Sequence, residues 1–342
     1  MDLIIIFSTI LLTICIFIVI GLKTKLFDKK TRGFNLLSSN DFKKFLIGGL
    51  ILYCSLFSLN FYFVFEETFN YLLIISLLIL ITGVIDDYIT LPVFIRLLIQ
   101  FLAALLITLY GVKIISLGYL IDDKEILLGY FSILFSVLCL VILINALNFF
   151  DGIDGNASAA SLFCFLSLVI LIYLENDINL IYINKFFLII LICLVFLLFL
   201  NFQQFFKFKI FLGDAGSTLL GFIMGTILIL YSQAPYNYLH PVLCIWCISI
   251  PFYDFLNVVI KRLIKNKNPL LSDDQHIHYI LTQYGMSNIT SVTIITLIST
   301  LFLITGYLSL KFINPLFSLV VYIIFFIFYF ILTEHFYRKK HK

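Results

Sequence analysis

Residues 145–155 read N-A-L-N-F-F-D-G-I-D-G, and they close an apolar run, 126–144, of about the twenty residues that a membrane-spanning helix needs. Two amides and two carboxylates are therefore presented where a hydrophobic helix stops. An Asp at the centre of a membrane helix costs roughly 2.5–3.5 kcal/mol, and less near the interface, so polar groups there mark a function. Asn145, Asn148, Asp151 and Asp154 recur every third residue, which on a helix makes each the neighbour of the next. Gly152 and Gly155 predict that the helix then gives way to a tight turn. A polar cap with two Asx turns is the bland alternative, but a cap needs one acid rather than two acids and two amides. Such hard oxygens suit Mg2+ or Mn2+ rather than zinc or copper.

The rest of the chain fits this frame. Its 342 residues are 62% hydrophobic and 12% charged, with a mean hydropathy of +1.13, which excludes a soluble globular protein. Apolar runs at 3–22, 45–65, 69–85, 93–112, 126–147, 157–174, 186–200, 218–231, 239–260, 291–310 and 316–332 predict eleven helices. The fold class is thus an all-α polytopic membrane protein, read as a single domain over 1–342. The eighth run is the shortest and the weakest. The first lacks a cleavage site and is read as a retained helix. All seven cysteines lie inside apolar runs, and Cys244-x-x-Cys247 has no second pair to form a zinc site.

Orientation follows from the basic residues, which membranes retain in the cytoplasm. Of 22 Lys and Arg, only Lys113, Lys124, Lys185 and Lys311 fall on one side of an eleven-helix topology. The N-terminus is therefore expected outside and the C-terminus in the cytoplasm. On the cytoplasmic side lie Asp86 and Asp87, Asp151 and Asp154, Asp214, and Asp273 and Asp274.

Asp86 and Asp87 end the third helix in G-V-I-D-D-Y-I-T-L-P, with Arg96 nine residues after Asp87. Adjacent carboxylates at a membrane edge imply a cation, a shared proton or a base role, against a plain turn before Pro92. Residues 209–221, K-I-F-L-G-D-A-G-S-T-L-L-G, put Asp214 between glycines before a helix expected to begin near Ser217, whose first amides would cradle an anion. The ninth loop, 261–279, reads K-R-L-I-K-N-K-N-P-L-L-S-D-D-Q-H-I-H-Y. Ser272 and Gln275 suit a capping box. His276 and His278, two apart, are expected to point apart on a helix, and with Lys261, Arg262, Lys265 and Lys267 to serve a phosphorylated ligand rather than a metal. Asp254 lies three residues after Pro251, which is expected to kink the ninth helix; the acid either stabilises that kink or pairs with a base. The rival class is a secondary transporter or ion pathway, which predicts acids near helix centres and inverted repeats. The acids here gather at one face instead.

Three of these motifs, G-V-I-D-D-Y-I-T-L-P-V-F-I-R-L-L-I-Q, N-A-L-N-F-F-D-G-I-D-G and I-F-L-G-D-A-G-S, together with Q-H-I-H, resemble the polyprenyl-phosphate N-acetylhexosamine-1-phosphate transferases of glycosyltransferase family 4. The resemblance covers about four-fifths of the chain, by order and spacing of motifs. It implies a bacterial cytoplasmic-membrane enzyme with a cytoplasmic site, a UDP-N-acetylhexosamine donor, undecaprenyl phosphate as acceptor, and Mg2+ or Mn2+ as cofactor. The product, a lipid diphosphate sugar, would start a cell-envelope glycan such as O-antigen. Nucleic acid is not an implied partner, and a homodimer is the candidate assembly within the lipid bilayer. By position, Asn148 and Asp214 are implied as metal ligands, with Asp151 and Asp154 in or beside that sphere. Asp86 or Asp87 would take the proton from the lipid phosphate, while Arg96, Asn145, Lys209, His276 and His278 would bind the substrates. The chain departs from the family pattern where Tyr279 replaces a third His and Asp274 an Arg.

Overall fold

A computed structural model describes residues 2–23, 43–121, 124–176, 185–268 and 274–340. The basic residues between 24 and 42, and Ser272 and Asp273, lie outside the described residues. The helices are α1 (Asp2–Lys23), α2 (Gly48–Phe63), α3 (Glu67–Tyr88), α4 (Val93–Tyr110), α5 (Ser132–Phe150), α6 (Asn156–Asn176) and α7 (Lys185–Phe202). They continue with α8 (Gly213–Ser232), α9 (Pro241–Cys247), α10 (Ser249–Ile264), α11 (Ile277–Gln283), α12 (Asn288–Phe312) and α13 (Pro315–Lys340). Among the described residues nine of these are long and apolar enough to cross a membrane, and α9 with α10 forms a further pair bent by 77°. Each predicted apolar run falls on a helix, but α2, with 16 residues, is shorter than a full span and the ninth run is broken in two.

The break lies at Ile248, not at Pro251. Pro251 sits in the first turn of α10, where no intrahelical partner awaits its missing N–H, so it starts a helix rather than kinking one.

The eighth helix corrects the sequence reading further. α8 spans 20 residues, and every residue from Ala215 to Ser232 is buried. Its Gly, Ser and Thr content weakens its hydropathy because it is the axis against which α2, α3 and α5 pack closely, and small residues let membrane helices approach. A Cβ on Gly221 would meet the Cα of Ile144 at 2.8 Å, and one on Gly83 of α3 would collide with Ala215.

Among the described residues two short sheets interrupt the helical fold, and nothing in the composition signals them. β1 (Lys43–Leu46) pairs in parallel with β4 (Phe208–Phe211), while β2 (Ser116–Ile121) pairs antiparallel with β3 (Lys124–Leu127). The first matters most, because it aligns the chain just before α2 with the chain just before α8. The Gly49 amide then donates to the Leu212 carbonyl at 3.3 Å, and the two helices leave side by side.

The apolar interior forms two clusters. The larger is built on α2, α3, α5, α7 and α8. The smaller joins α9 and α10 to α12 and α13 around Trp246, Tyr253, Tyr322 and Tyr329. Trp246 Nε1 donates to Ser318 Oγ at 3.0 Å and the Tyr253 hydroxyl to the Tyr322 carbonyl at 2.6 Å, while the buried Tyr322 hydroxyl has no partner among the described residues.

If α8 is the axis, Gly83→Val should force α3 off it and destabilise the protein by about 1–3 kcal/mol, the usual range for overpacking. The check is the thermal melt of the detergent-purified protein, with Ile81→Val on the exposed face of α3 expected to melt unchanged.

Candidate active site

Asp86 and Asp87 close α3 and point to different neighbours, as successive helix residues must. Asp86 turns to α4: one oxygen accepts from Arg96 at 2.8 Å and the other from the Leu91 amide at 2.6 Å. Asp87 turns to α8, where its carboxylate accepts the Asp214 and Ala215 amides at 3.0 and 3.3 Å. The approach requires a glycine, since Gly213 has φ of +69° and a Cβ there would stand 2.5 Å from Asp87 Oδ2. The expected anion cradle at the start of this helix therefore exists, but a carboxylate of the chain fills it. The helix begins at Gly213, one turn before the expected Ser217.

Asn148 crosses from α5 to the same turn. Its amide nitrogen lies 3.0 Å from both Asp214 Oδ1 and Ser217 Oγ, and the Ser217 hydroxyl donates to the Gly213 carbonyl. Behind this pair is a cavity of about 20 Å³, room for one water-sized species, lined by Asp86, Arg96, Gln100, Asn148, Asp214 and Thr218. Arg96 Nε is buried here without a partner among the described residues. Asn145 stands one step back, donating to Gln100 at 2.6 Å and to the Val141 carbonyl. It orients a residue that lines the cavity and does not itself line it.

α5 stops at Phe150, and 151–155 form the turn that the two glycines predict. The Asn156 side chain holds that turn by donating to the Phe150 carbonyl at 2.7 Å. The four polar residues thus diverge: Asn145 and Asn148 stay on the helix, Asp151 ends it and Asp154 lies in the turn. Asp154 forms a largely buried ion pair with Lys209 of β4 at 2.9 Å. Asp151 keeps a partly exposed edge, yet burial of the rest of its carboxyl, and then the charges of Asp214, Asp87 and Asp154, push it well above the usual carboxylate range. Among the described residues no three carboxylates, imidazoles or thiols stand close enough to enclose an ion. What is assembled is a crowd of hard oxygens in electrostatic debt, together with an amide already against Asp214.

The histidine arm approaches from the other side. His276 precedes α11 in an extended conformation, φ −66° and ψ 145°, so its ring and that of His278 face the same way, contrary to the expectation for two helical residues. They stack at 5.4 Å with 10° between planes. His276 Nδ1 lies 2.7 Å from Asp254 of α10. Neither ring nitrogen of the fully buried His278 has a hydrogen-bond partner among the described residues. Its Nε2 faces Gly152, where a Cβ would collide with it. Burial, and then the neighbouring His276, lower the His278 imidazole to about 3, so it is neutral. Of the basic residues of this loop, Lys265 reaches the arm, its Nζ 3.5 Å from Gln275 Oε1, whereas Lys261 and Arg262 are engaged elsewhere. Lys261 is buried against Glu334 of α13 at 3.1 Å, and Arg262 Nε donates to the Asn268 carbonyl.

Residues 69–232 match the model of the family described as "Glycosyl transferase family 4". The chain is 30% identical over 268 residues, 77% of its length, to 72% of the undecaprenyl-phosphate α-N-acetylglucosaminyl 1-phosphate transferase of Escherichia coli K12. Proteins of the same name from Yersinia pestis and Haemophilus influenzae are each 30% identical, over 74% and 70% of this chain and 69% and 68% of their own. The chain belongs to glycosyl transferase family 4.

Within this family member, the matched segment contains Asp86, Asp87, Arg96, Asn145, Asn148, Asp151, Asp154, Lys209 and Asp214, and the histidine arm lies beyond it. A groove of about 570 Å³, almost wholly apolar, runs between α5, α8, α10 and α13, with Leu143, Leu228, Phe252, Leu256 and Phe326 in its wall. Sequence reasoning did not assign Gln100, Ser217 or Tyr329. Gln100 had a signal, an amide one turn from Arg96 inside an apolar helix. Tyr329 had none.

A carboxyl raised by folding favours the fold below its unfolded pKa and loses that contribution as pH rises through the folded value. Without divalent cation, Asp151→Asn should therefore melt progressively higher than the parent as pH rises from about 4 towards neutrality. Thermal melts across that range check it, and magnesium should narrow the difference if a cation relieves the crowding.

Proposed function

We propose that this chain transfers N-acetylhexosamine 1-phosphate from a UDP-N-acetylhexosamine to undecaprenyl phosphate, releasing UMP and leaving a lipid diphosphate sugar. The observation that carries the reading is the convergence of Asp87, Asn148, Asp151 and Asp214 at one end of α3, α5 and α8, with the unpartnered His278 across the turn. The relatives' name, with its undecaprenyl-phosphate acceptor and N-acetylglucosaminyl 1-phosphate group, makes UDP-N-acetylglucosamine the first donor to test. The distribution of Lys and Arg supports a site on the cytoplasmic side of a bacterial inner membrane. The acids of the cluster all lie at helix ends or turns, which is where a lipid phosphate can reach them and where a transporter relay would not be built.

The donor set fits a hard divalent ion such as Mg2+ or Mn2+. Asp214 and Asp151 would hold it, with Asn148 once its amide turns the oxygen rather than the nitrogen towards Asp214. Such an ion would supply charge neutralisation between two phosphate groups. The protein groups do the rest. Arg96, held by Asp86 and with Nε unpartnered, offers donors to the lipid phosphate, and Asp87 is the group assigned to take its proton. Asp154 fixes Lys209 beside the cluster, where its ammonium partly offsets the acids. The neutral His278 takes a diphosphate oxygen by hydrogen bond. The lipid phosphate oxygen bonds to the sugar-linked phosphorus, the bond from that phosphorus to its bridging oxygen breaks, and UMP leaves. The apolar groove suits the polyprenyl chain.

The test is a membrane assay with radiolabelled UDP-N-acetylglucosamine, undecaprenyl phosphate and magnesium, extended to other UDP-N-acetylhexosamines. Label should move into the organic phase with release of UMP; label that stays water-soluble for every donor overturns the reading. Asp214→Asn should abolish transfer while the protein remains in the membrane, and full activity in that variant would remove Asp214 from the ion. His278→Ala should raise the donor KM about tenfold, the loss of one buried hydrogen bond, and leave the acceptor KM unchanged.

A further inference from the structure

Asp254, the one carboxylate of α10, is used by none of these steps. It is 1% exposed. Its Oδ2 lies 2.7 Å from His276 Nδ1, and its Oδ1 accepts the Ile277 amide at 2.9 Å and the Tyr329 hydroxyl at 2.8 Å. These bonds answer the two expectations held for this acid. None goes to α9 or to the break at Ile248, so Asp254 does not stabilise the bend. It does pair with a base, but that base is His276 just before α11, while Lys261 of its own helix is engaged with Glu334.

The three donors belong to the residue before α11, to the first turn of α11 and to α13. One carboxylate therefore sets the ring plane of His276, the start of α11 and their distance from α13 together. The Ile277 amide and the Tyr329 hydroxyl donate to Oδ1, and a carboxyl is a stronger acid than an imidazolium, so the proton between Oδ2 and His276 sits on Nδ1. That leaves Nε2 as the nitrogen that His276 can offer elsewhere. The His276 ring in turn stacks on His278, whose Nε2 faces Gly152 in the acidic turn. The rest of α11 is held independently: Tyr337 donates to Asp274 and Tyr284 to the Phe336 carbonyl. Removing the charge of Asp254 thus changes the hydrogen bond that sets the His276 ring without releasing the arm.

We propose that Asp254 is the positioning residue of the histidine pair, fixing His276 as its Nδ1–H form and aligning both rings on the acidic turn, with Tyr329 as its brace. The proposal rests on reading α11 as the donor-binding arm. Asp254→Asn isolates the effect. The Ile277 amide and the Tyr329 hydroxyl still require an acceptor, so the new amide keeps its oxygen towards them and turns its N–H2 to His276, driving the imidazole proton from Nδ1 to Nε2.

The experiment uses the full chain in detergent, labelled with 15N-histidine. With five histidines in the sequence the nitrogen spectrum is sparse, and His276→Ala identifies its signals. Expected are an Nδ1–H signature for His276 in the parent and Nε2–H in Asp254→Asn. The variant should also show a donor KM raised roughly 10- to 100-fold, the usual cost of losing an orienting carboxylate, and an unchanged acceptor KM. Tyr329→Phe should shift the donor KM in the same direction by less, with the tautomer retained. An unchanged tautomer and donor KM in Asp254→Asn overturn the proposal. So does equal loss towards both substrates with a lowered melting temperature, which marks a scaffold residue. Should Asp254→Asn not fold, Tyr329→Phe decides by the same split between donor and acceptor. If the parent transfers no label from any UDP-sugar, the transferase reading fails by itself, while the histidine spectra still decide the tautomer.

Discussion

The structure depends on a carboxylate meeting a helix start. Asp87, at the end of α3, takes the first amides of α8, whose orphan N–H groups and positive dipole end favour a negative partner. That contact sets the depth of α3 against α8, and with it the position of Asp214 in the first turn. Asn148 then reaches Asp214 and Ser217 from α5, so three helices are tied at one level by side chains rather than by loops. The parallel pairing of β1 with β4 secures the same level from below by fixing where α2 and α8 begin. A helix start usually offers itself to a phosphate. Here it is spent on holding an acid in place, which concentrates negative charge instead of positive.

Concentrated negative charge is unfavourable by itself, and the fold offsets only part of it. Arg96 answers Asp86 and Lys209 answers Asp154, each at hydrogen-bonding distance. Among the described residues Asp151 has no such cation; burial first, and then the remaining charge of Asp214, Asp87 and Asp154, raises its affinity for a proton. Under the proposed reading this remainder is what draws a divalent ion, and the ion makes the site tolerant of two phosphates. A fully neutralised cluster would be more stable and would bind nothing.

Much of this was legible from the chain. Apolar runs gave helices in the right places because spanning segments are long and uniform. Acids at their ends pointed to residues that the fold does bring together, Asp87, Asp151 and Asp214, because polar residues in such surroundings have few structural uses. What was missed follows from contacts that leave no periodic trace. α8 was underrated because a helix buried on every side carries small residues in place of an apolar stripe. The break was assigned to Pro251, although a proline in a first helical turn is permissive. The histidines were expected to diverge because both were placed on α11, whereas His276 lies just before it with extended backbone. Lys261 was counted among ligand donors, and only the packing of α13 shows that Glu334 claims it.

The two halves of the site belong to the two apolar clusters, and this decides how they can move. Asp87, Asn148 and Asp214 ride on α3, α5 and α8, whose backbones approach within the reach of a single Cβ at Gly83 and Gly221, so their relative positions are stiff. The histidines ride on an arm fastened by side chains to α10 and α13 of the smaller cluster. The arm meets the end of α5 where Phe149 packs on Phe255 at 5.8 Å and on the His276 ring at 6.1 Å, and where Phe150 meets His278 edge-on at 5.9 Å. Aromatic faces of this kind resist separation but slide with small penalty, since their attraction is broad in angle. The arm already rests on the acidic turn, where a Cβ on Gly152 would meet His278 Nε2, so a phosphate that reaches His278 has to part that seam. Stiffness is thus placed where charges must be held against their own repulsion, and the seam of aromatic faces lies beside it at the histidine arm.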